Sequence, residues 1–363
     1  MDALDDILKI EERLVQKATQ RYIPIGGAFE LLPLCNMNCE MCYVRLSRSQ
    51  QQAEGRLHPA SEWLEIARQM QKAGTLFLLL TGGEPLLYPE FERLYRELKA
   101  MGMILTINTN GTLITPEIAR MLGNDRPRRV NVTLYGADNE TYGRICRNPR
   151  GFDQTMRGIR LLQENGVDIK LNGTLTPENC HQASRLQRIA DELGLYLKID
   201  TYLFPLCRRS REQFRPDARL TPEKAAYYGL LSRKNRYSPE EFAAWRDYTL
   251  GKIGVPVQED CSLGCRAGRS SFWIRWNGDL TPCVFLTEPC GNVFETDFRT
   301  AWEQIVGKTA CLHLPNCCGS CRYRQVCQIC GAAAFGENGN CDDRPRYLCE
   351  MTRAMVKELE ETK

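Results

Sequence analysis

Three cysteines near the start of the chain are spaced Cys35-x3-Cys39-x2-Cys42, directly after the apolar run Phe29–Leu34. Thiolate is a soft ligand that selects zinc or iron–sulfur. Three thiolates can hold three irons of a [4Fe–4S] cube, which leaves the fourth iron open to an external ligand. The alternative is a structural zinc ion, which would want a fourth protein ligand, and none lies nearby in the sequence.

The next apolar run, Leu76–Leu80, ends in Thr81-Gly82-Gly83-Glu84-Pro85. Glycines at a strand end let a ligand approach the backbone, and an exposed carboxylate there suits an ammonium group. In this order and spacing, the cysteine triad and the Gly-Gly-Glu-Pro segment resemble the radical S-adenosylmethionine (SAM) superfamily. The resemblance implies that SAM fills the open iron position through its methionyl amine and carboxylate, with Gly82, Gly83 and Glu84 binding the amine. It further implies that Met41 lies beside the adenine. Asn110 in Asn108–Gly111 and Thr133 in Thr133–Gly136 would contact ribose and carboxylate. A family arginine after the fourth strand maps to Arg147, with Arg144 as the alternative. Tyr135 stands where many relatives carry aspartate.

A second cysteine-rich region runs from Cys261 to Cys349 and holds twelve of the eighteen cysteines. Cys265-x12-Gly278-x4-Cys283 and the run Cys318-x2-Cys321-x5-Cys327-x2-Cys330, with Cys349 beyond, resemble the SPASM extension of radical SAM enzymes. That likeness implies two auxiliary [4Fe–4S] clusters, one on Cys261, Cys265, Cys283 and Cys330 and one on Cys318, Cys321, Cys327 and Cys349. Cys317 competes with Cys318, and Cys341 with Cys349. The last pair of the run has two intervening residues where the family has three. A zinc ribbon on Cys318, Cys321, Cys327 and Cys330 is the other reading, although its loops are short. Cys146, Cys180, Cys207, Cys290 and Cys311 are read as ordinary thiols.

These residues must be carried by a scaffold. Short β-rich runs at 29–34, 76–81, 104–108, 129–135, 168–175 and 196–204 alternate with amphipathic stretches at 60–72, 89–101, 115–122, 152–165 and 179–193, a pattern of βα units and a parallel sheet. Six units are too few for an eight-fold barrel. The expected fold class is therefore α/β, a partial (β/α)6 TIM-like barrel with its site at the C-terminal strand ends. The domain reading is an N-terminal helix (1–28), the barrel core (29–204), a proline-marked helical bridge (205–257), a mostly irregular cysteine-rich auxiliary domain (258–350) and a terminal helix end (351–363). Within the auxiliary domain, Asn277–Gly278 between 271–276 and 280–285 signals a type I′ hairpin. Phe272, Trp273 and Trp276 beside it are read as packing residues.

Composition narrows the classes. The net charge of +3 over 363 residues and the lack of a Lys/Arg block argue against a nucleic-acid partner. The longest apolar run is far too short to span a bilayer, and the N-terminus is not a secretory h-region. A cytoplasmic protein is expected, and clustered cysteines in a reducing compartment point to metal rather than disulfides. Three histidines, His58, His181 and His313, leave little for imidazole chemistry.

By resemblance, the reduced SAM-bound cluster splits SAM to methionine and a 5′-deoxyadenosyl radical that abstracts hydrogen from a C–H bond, with oxygen excluded. SPASM relatives mostly modify peptides, so a ribosomal precursor peptide is the expected substrate and a thioether or carbon–carbon cross-link the expected product. A flavodoxin or ferredoxin would serve as reductant. Val284 stands where sulfatase-maturing relatives carry a base aspartate, which argues against that reaction. The sequence before the first strand is too short for a winged-helix leader-binding domain, so a separate leader-binding protein is the expected partner. The Arg-rich stretch 207–219 is read as a solvated basic face, with an acidic leader as the alternative ligand. Two further readings stay open: a dehydrogenase or maturase of the same superfamily acting on a small molecule or a protein, and a non-catalytic iron–sulfur electron-transfer protein.

Overall fold

The computed structural model describes residues 3–205, 218–256 and 262–362. Six parallel strands, β1 (Gly26–Glu30), β2 (Phe77–Thr81), β3 (Ile104–Thr109), β4 (Arg129–Thr133), β5 (Ile169–Thr174) and β6 (Tyr196–Asp200), pair in sequence order. Helices α1 (Ala3–Gln20), α2 (Arg48–Glu54), α3 (Ala60–Lys72), α4 (Phe91–Ala100), α5 (Pro116–Asn124), α6 (Asn139–Cys146), α7 (Gly151–Glu164) and α8 (Ala183–Glu192) complete this part. The expected α/β partial barrel is what the chain forms.

The strands follow period two. In β3, β4 and β5, Leu105, Ile107, Val130, Val132, Ile169 and Leu171 are buried, while the alternate members are partly exposed and, Ile104 apart, polar. Successive strand residues point to opposite faces, so one face packs under the helices and the other lines a polar lumen. The helices supply the matching cover: α3 buries Ala60, Trp63, Leu64, Ile66, Ala67 and Met70, an i, i+3, i+4, i+7 stripe. Thr115 and Asp138 cap α5 and α6 by accepting backbone N–H groups, which fixes where those helices start.

The C-terminal part contains α9 (Pro222–Lys234), α10 (Pro239–Gly251), β7 (Ser271–Ile274), β8 (Asp279–Thr281), β9 (Gly291–Asn292), α11 (Phe298–Ala310), α12 (Gly331–Asn338) and α13 (Arg346–Glu361). The expected hairpin is present but belongs to the barrel sheet. β7 runs parallel to β1 with Gly26 opposite Ser271, and the whole sheet has the order β6-β5-β4-β3-β2-β1-β7-β8-β9. Its turn is not type I′, because Gly278 has φ 90° but Asn277 is not left-handed. Gly278 N–H donates to Arg275 C=O at 2.9 Å, a wider loop in which only the last residue needs positive φ. Phe272 packs on Phe298 and Trp302, Trp276 is buried, and Trp273 Nε1 donates to Glu30, so these aromatics do serve packing.

Several strands end earlier than the sequence suggests: β1 at Glu30 rather than Leu34, β4 at Thr133 rather than Tyr135, β5 at Thr174 rather than Leu175, and β6 at Asp200 rather than Phe204. α6 lies outside the amphipathic stretches legible in the sequence; its apolar residues, Tyr142, Ile145 and Cys146, are too few to show a periodic stripe.

Candidate functional site

Past β1, residues 31–34 continue beside the end of β2 without joining it as a regular strand. Leu31 N–H donates to Thr81 C=O, Gly83 N–H to Leu32 C=O and Glu84 N–H to Leu34 C=O, each at 2.8–2.9 Å. This close approach is what the two glycines serve. A Cβ on Gly82 would stand 2.6 Å from the Leu32 carbonyl oxygen, and one on Gly83 2.2 Å from that of Leu34. The glycine pair thus seats the chain that leads into Cys35, a role beyond ligand access.

Glu84 departs from expectation. Its side chain is fully buried and is not an exposed carboxylate. Oε1 accepts from Thr109 Oγ1 at 2.8 Å and from Leu86 N–H at 3.2 Å, and Oε2 accepts from Asn110 N–H at 2.8 Å. Burial pushes its carboxyl up to about 7, with these three donors pulling the other way. The end of β2 is thereby tied to the end of β3, and Asn110 carries the connection on. Asn110 Nδ2 lies 3.7 Å from Cys35 Sγ and 2.9 Å from Asn36 Oδ1, while Asn36 Nδ2 donates to Thr112 Oγ1 at 2.8 Å.

The strand ends and the cysteine loop enclose a cavity of about 480 Å³. Cys35, Cys39 and Cys42 line it, as do Met41, Gly82, Gly83, Asn110 and Thr133; Arg147 and Arg144 do not. The Arg147 guanidinium instead pairs with Glu40, and Arg144 with Glu140 and Glu178. Arg144 lies in the last turn of α6 and Arg147 at its C-terminal cap, and both guanidinium groups are engaged by carboxylates outside the cavity.

Burial raises the Cys35 thiol to about 12, against a Met37 N–H bond that favours the thiolate. Cys39 behaves oppositely: a hydrogen bond from Cys146 holds it below the usual thiol range, aided by Tyr135. The proton stays on Cys146, whose thiol is driven well up by the same bond and by burial. Cys146 therefore has a place at the site, although a lone cysteine at the end of a short helix gives no sequence signal for it. Tyr135, which departs from the family pattern, lines the same cavity.

Among the described residues, no three His, Cys, Asp or Glu side chains are drawn close enough to share one metal ion. A four-iron cube holds its thiolates at separate corners and asks for something different: three thiols facing one space with an open side. The donor set here fits that demand, with the open side met by strand-end glycines and polar residues.

The C-terminal cysteines fall into two groups. Cys265 and Cys330 each raise the Cys283 thiol, which burial takes to about 12, so these three are near neighbours. Cys330 is the N-cap residue of α12, where its carbonyl accepts from Ala333 and Ala334 N–H; burial raises its thiol, and it also lines the main cavity. The fourth residue expected with them, Cys261, lies outside the described residues. Burial raises the thiols of Cys318, Cys327 and Cys349; Cys317, Cys349 and Cys327 add to the rise at Cys318, and Cys321 adds to it at Cys327 and Cys349. This second group contains Cys349. Cys341 is buried against Leu286 and Ala332 on the Cys330 side. Cys317 adjoins Cys318 from an exposed position. Cys207 and most of the Arg-rich stretch also lie outside the described residues.

Outside the inner site the cavity is aromatic. Phe204 and Phe285 stack at 3.9 Å, Tyr43 stands 4.8 Å from Phe285, and Lys198 Nζ pairs with Asp200 at 2.8 Å on the rim.

Comparison with known proteins agrees with this geometry. Residues 29–185 match the radical SAM superfamily. The chain is 27% identical over 327 residues to an AdoMet-dependent heme synthase from Methanosarcina barkeri, covering 86% of this chain and 93% of that protein. It is 27% identical over 320 residues to the mycofactocin maturase MftC of Mycobacterium tuberculosis, covering 86% and 79%. The crystal structure of Streptococcus suis SuiB bound to the precursor peptide SuiA superposes with a TM-score of 0.68 at 19% identity, over 96% of this chain and 82% of that one. No helix among the described residues is long and apolar enough to cross a membrane.

Proposed function

With residues 29–185 a radical SAM domain, we propose that the chain binds SAM at a [4Fe–4S] cluster on Cys35, Cys39 and Cys42 and removes a hydrogen atom from a polypeptide substrate. When bound, that pair of groups supplies a 5′-deoxyadenosyl radical for abstraction from an unactivated C–H bond. The observation that carries the reading is the single cavity onto which the three thiols, Gly82, Gly83, Asn110 and Thr133 all open.

The chain's own residues set the conditions. Gly82 and Gly83 offer backbone to the methionyl end, and Glu84 acts from below by holding Asn110 in place. Met41 supplies an apolar surface for the adenine. Phe204, Phe285 and Tyr43 wall the outer half and keep water from the reacting carbon. Two auxiliary clusters, on Cys261, Cys265, Cys283 and Cys330 and on Cys318, Cys321, Cys327 and Cys349, would take up the electron left on the substrate. Cys330 favours this route because its thiol opens on the same cavity as the triad. A cross-link, thioether or carbon–carbon, is the proposed product, and a flavodoxin or ferredoxin the proposed reductant.

Polypeptide substrates are supported by the fold shared with an enzyme captured on a precursor peptide and by the similarity to a maturase. A second reading, a small-molecule substrate, is favoured by the similarity to heme synthases. An anaerobic assay for 5′-deoxyadenosine with dithionite tests the radical reading. No product above a Cys35→Ala control, with clusters reconstituted, would sink it. Deuterium transferred from a labelled peptide into deoxyadenosine separates the two substrate classes.

A further inference from the structure

The cysteine groups differ in how they meet the surface. Cys39 is buried, and Cys35 and Cys42 are half-buried on the wall of the main cavity. Cys321 of the second C-terminal group is exposed, as is Cys317 beside it. An electron passing between two proteins must cross the gap between them, and its transfer slows steeply with distance. The second C-terminal group is therefore where a protein carrier can come nearest.

Arginines surround that place. Arg322 and Arg324 stand in the loop between Cys321 and Cys327, and Arg344 and Arg346 flank Pro345 at the start of α13. On α13, Arg346, Cys349 and Arg353 follow at i, i+3 and i+7, so both arginines share the helix face that carries the thiol. Thr352 Oγ1 donates to Cys327 Sγ at 3.3 Å, which holds this helix against the loop. Arg324 N–H donates to Cys321 C=O at 2.9 Å and Cys327 N–H to Tyr323 C=O at 2.8 Å, folding the loop back on itself. Burial raises the Cys327 and Cys349 thiols, while Arg324 at the first and Arg344 and Arg353 at the second pull the other way.

The side chains of Arg322, Arg344, Arg346 and Arg353 are exposed, and Arg324 is half-buried. None of these arginines has a carboxylate partner among the described residues. Three carboxylates lie close in sequence. Burial and then Asp342 raise the Cys341 thiol, which places Asp342 on the Cys330 side. Asp343 accepts from Asn340 Nδ2 at 2.8 Å. Glu350 alone shares the exposed face of α13 with Arg346 and Arg353, so cations prevail there. The face over the cysteine triad is built differently: Arg147 pairs with Glu40, and Arg144 with Glu140 and Glu178.

We propose that this arginine surface docks an acidic one-electron carrier protein of the flavodoxin class. Resting on the auxiliary clusters of the reading above, the carrier removes the electron that they take from the substrate. One electron leaves the group held by Cys318, Cys321, Cys327 and Cys349 and enters the oxidised flavin. The flavin takes a proton from water as it becomes the semiquinone, and no other bond changes. The contact is of the small, weak kind that electron carriers use, with charge steering the encounter.

The probe is an oxidised, strongly acidic flavodoxin, immobilised and titrated with the cluster-loaded protein by biolayer interferometry without oxygen. It should bind, and raising the salt from about 50 to about 500 mM should weaken binding severalfold. Cytochrome c, a basic one-electron carrier, should not bind. Arg344→Gln, Arg346→Gln and Arg353→Gln together should weaken flavodoxin binding about tenfold. Arg144→Gln with Arg147→Gln, beside the triad, should bind as the unsubstituted chain does. Iron content and urea midpoint check that each variant is loaded and folded.

A second readout removes the triad. The chain carrying Cys35→Ala, Cys39→Ala and Cys42→Ala, reduced with dithionite, should pass electrons to the flavodoxin in stopped flow as fast as the parent. Adding the substitutions at Arg344, Arg346 and Arg353 should slow this transfer about tenfold. No binding, binding indifferent to salt, a loss caused by Arg144 and Arg147 instead, or transfer that needs the triad would each overturn the proposal. Deoxyadenosine formation with dithionite needs no carrier, so the radical reading stands or falls separately.

Discussion

The Glu84 carboxylate accepts the backbone N–H of Asn110 at 2.8 Å, and that one bond links the end of β2 to the amide that reaches toward Cys35. A carboxylate at this depth is costly unless every lone pair is used. Here three donors converge on it, so Glu84 acts as a buried clamp that positions the site's polar residues.

A pH signature follows from that clamp. The Glu84 carboxyl is raised by burial to about 7, above its unfolded value. Between those two values the folded chain keeps a proton that the unfolded chain has lost, so stability falls as pH rises through this window. The urea midpoint should decrease from pH 5 to pH 8, and Glu84→Gln should flatten this fall. Because a Gln amide nitrogen cannot accept, the variant should also lose about 1–3 kcal/mol through an unpaired buried N–H. An equally steep pH profile in Glu84→Gln would assign the effect to other groups.

Gly83→Ala should disturb the site through packing. The added methyl would stand 2.2 Å from the Leu34 carbonyl oxygen, so the strand leading to Cys35 must move, at a cost of about 1–3 kcal/mol. Reduced iron retention after reconstitution is the measurable outcome. Gly307→Ala is the reference: nothing lies within 4 Å of its new methyl in α11, and it should stabilise by about 0.5–1 kcal/mol.

Iron content separates the cysteine groups. Three cubes predict about twelve irons per chain, and alanine at Cys35, Cys39 and Cys42 together should leave about eight. Cys349→Ala should lower the content, because Cys349 stands among Cys318, Cys321 and Cys327. Cys341→Ala should not, since its thiol is packed against Leu286 and Ala332. The reverse pattern would exchange their roles.

Cys146→Ala should leave the iron content intact and shift the potential of the triad's cluster. The Cys146 hydrogen bond to Cys39 stabilises negative charge on that sulfur, and the more reduced state carries more of it. Loss of the donor should move the potential to more negative values in an electron paramagnetic resonance titration. An unchanged potential would mean that the bond is not kept once the cluster is in place.

Legibility in the sequence followed the range of the interaction. The six parallel strands and their order were readable from period-two runs alternating with helical stripes, because both patterns are local. Cys35, Cys39 and Cys42 were readable because their spacing is local too. Glu84 looked like an exposed ligand because nothing in Gly-Gly-Glu-Pro records that Thr109 and Asn110 come to meet it from the next strand. Cys146 sits more than a hundred residues from Cys39 and meets it only because the last turn of α6 packs on the cysteine loop. Likewise, the seating of β7 on β1 joins residues 26–29 to 271–274, a pairing that no window of sequence contains.

That pairing also decides how the molecule can be cut. β7 covers the side of β1 that β2 leaves open, and β8 and the two-residue β9 taper the sheet off. A chain shortened before Ser271 would present β1, with Phe29 and its bare backbone groups, as a raw sheet margin prone to self-association. The N-terminal half should therefore prove insoluble when expressed by itself, however complete its share of the catalytic residues.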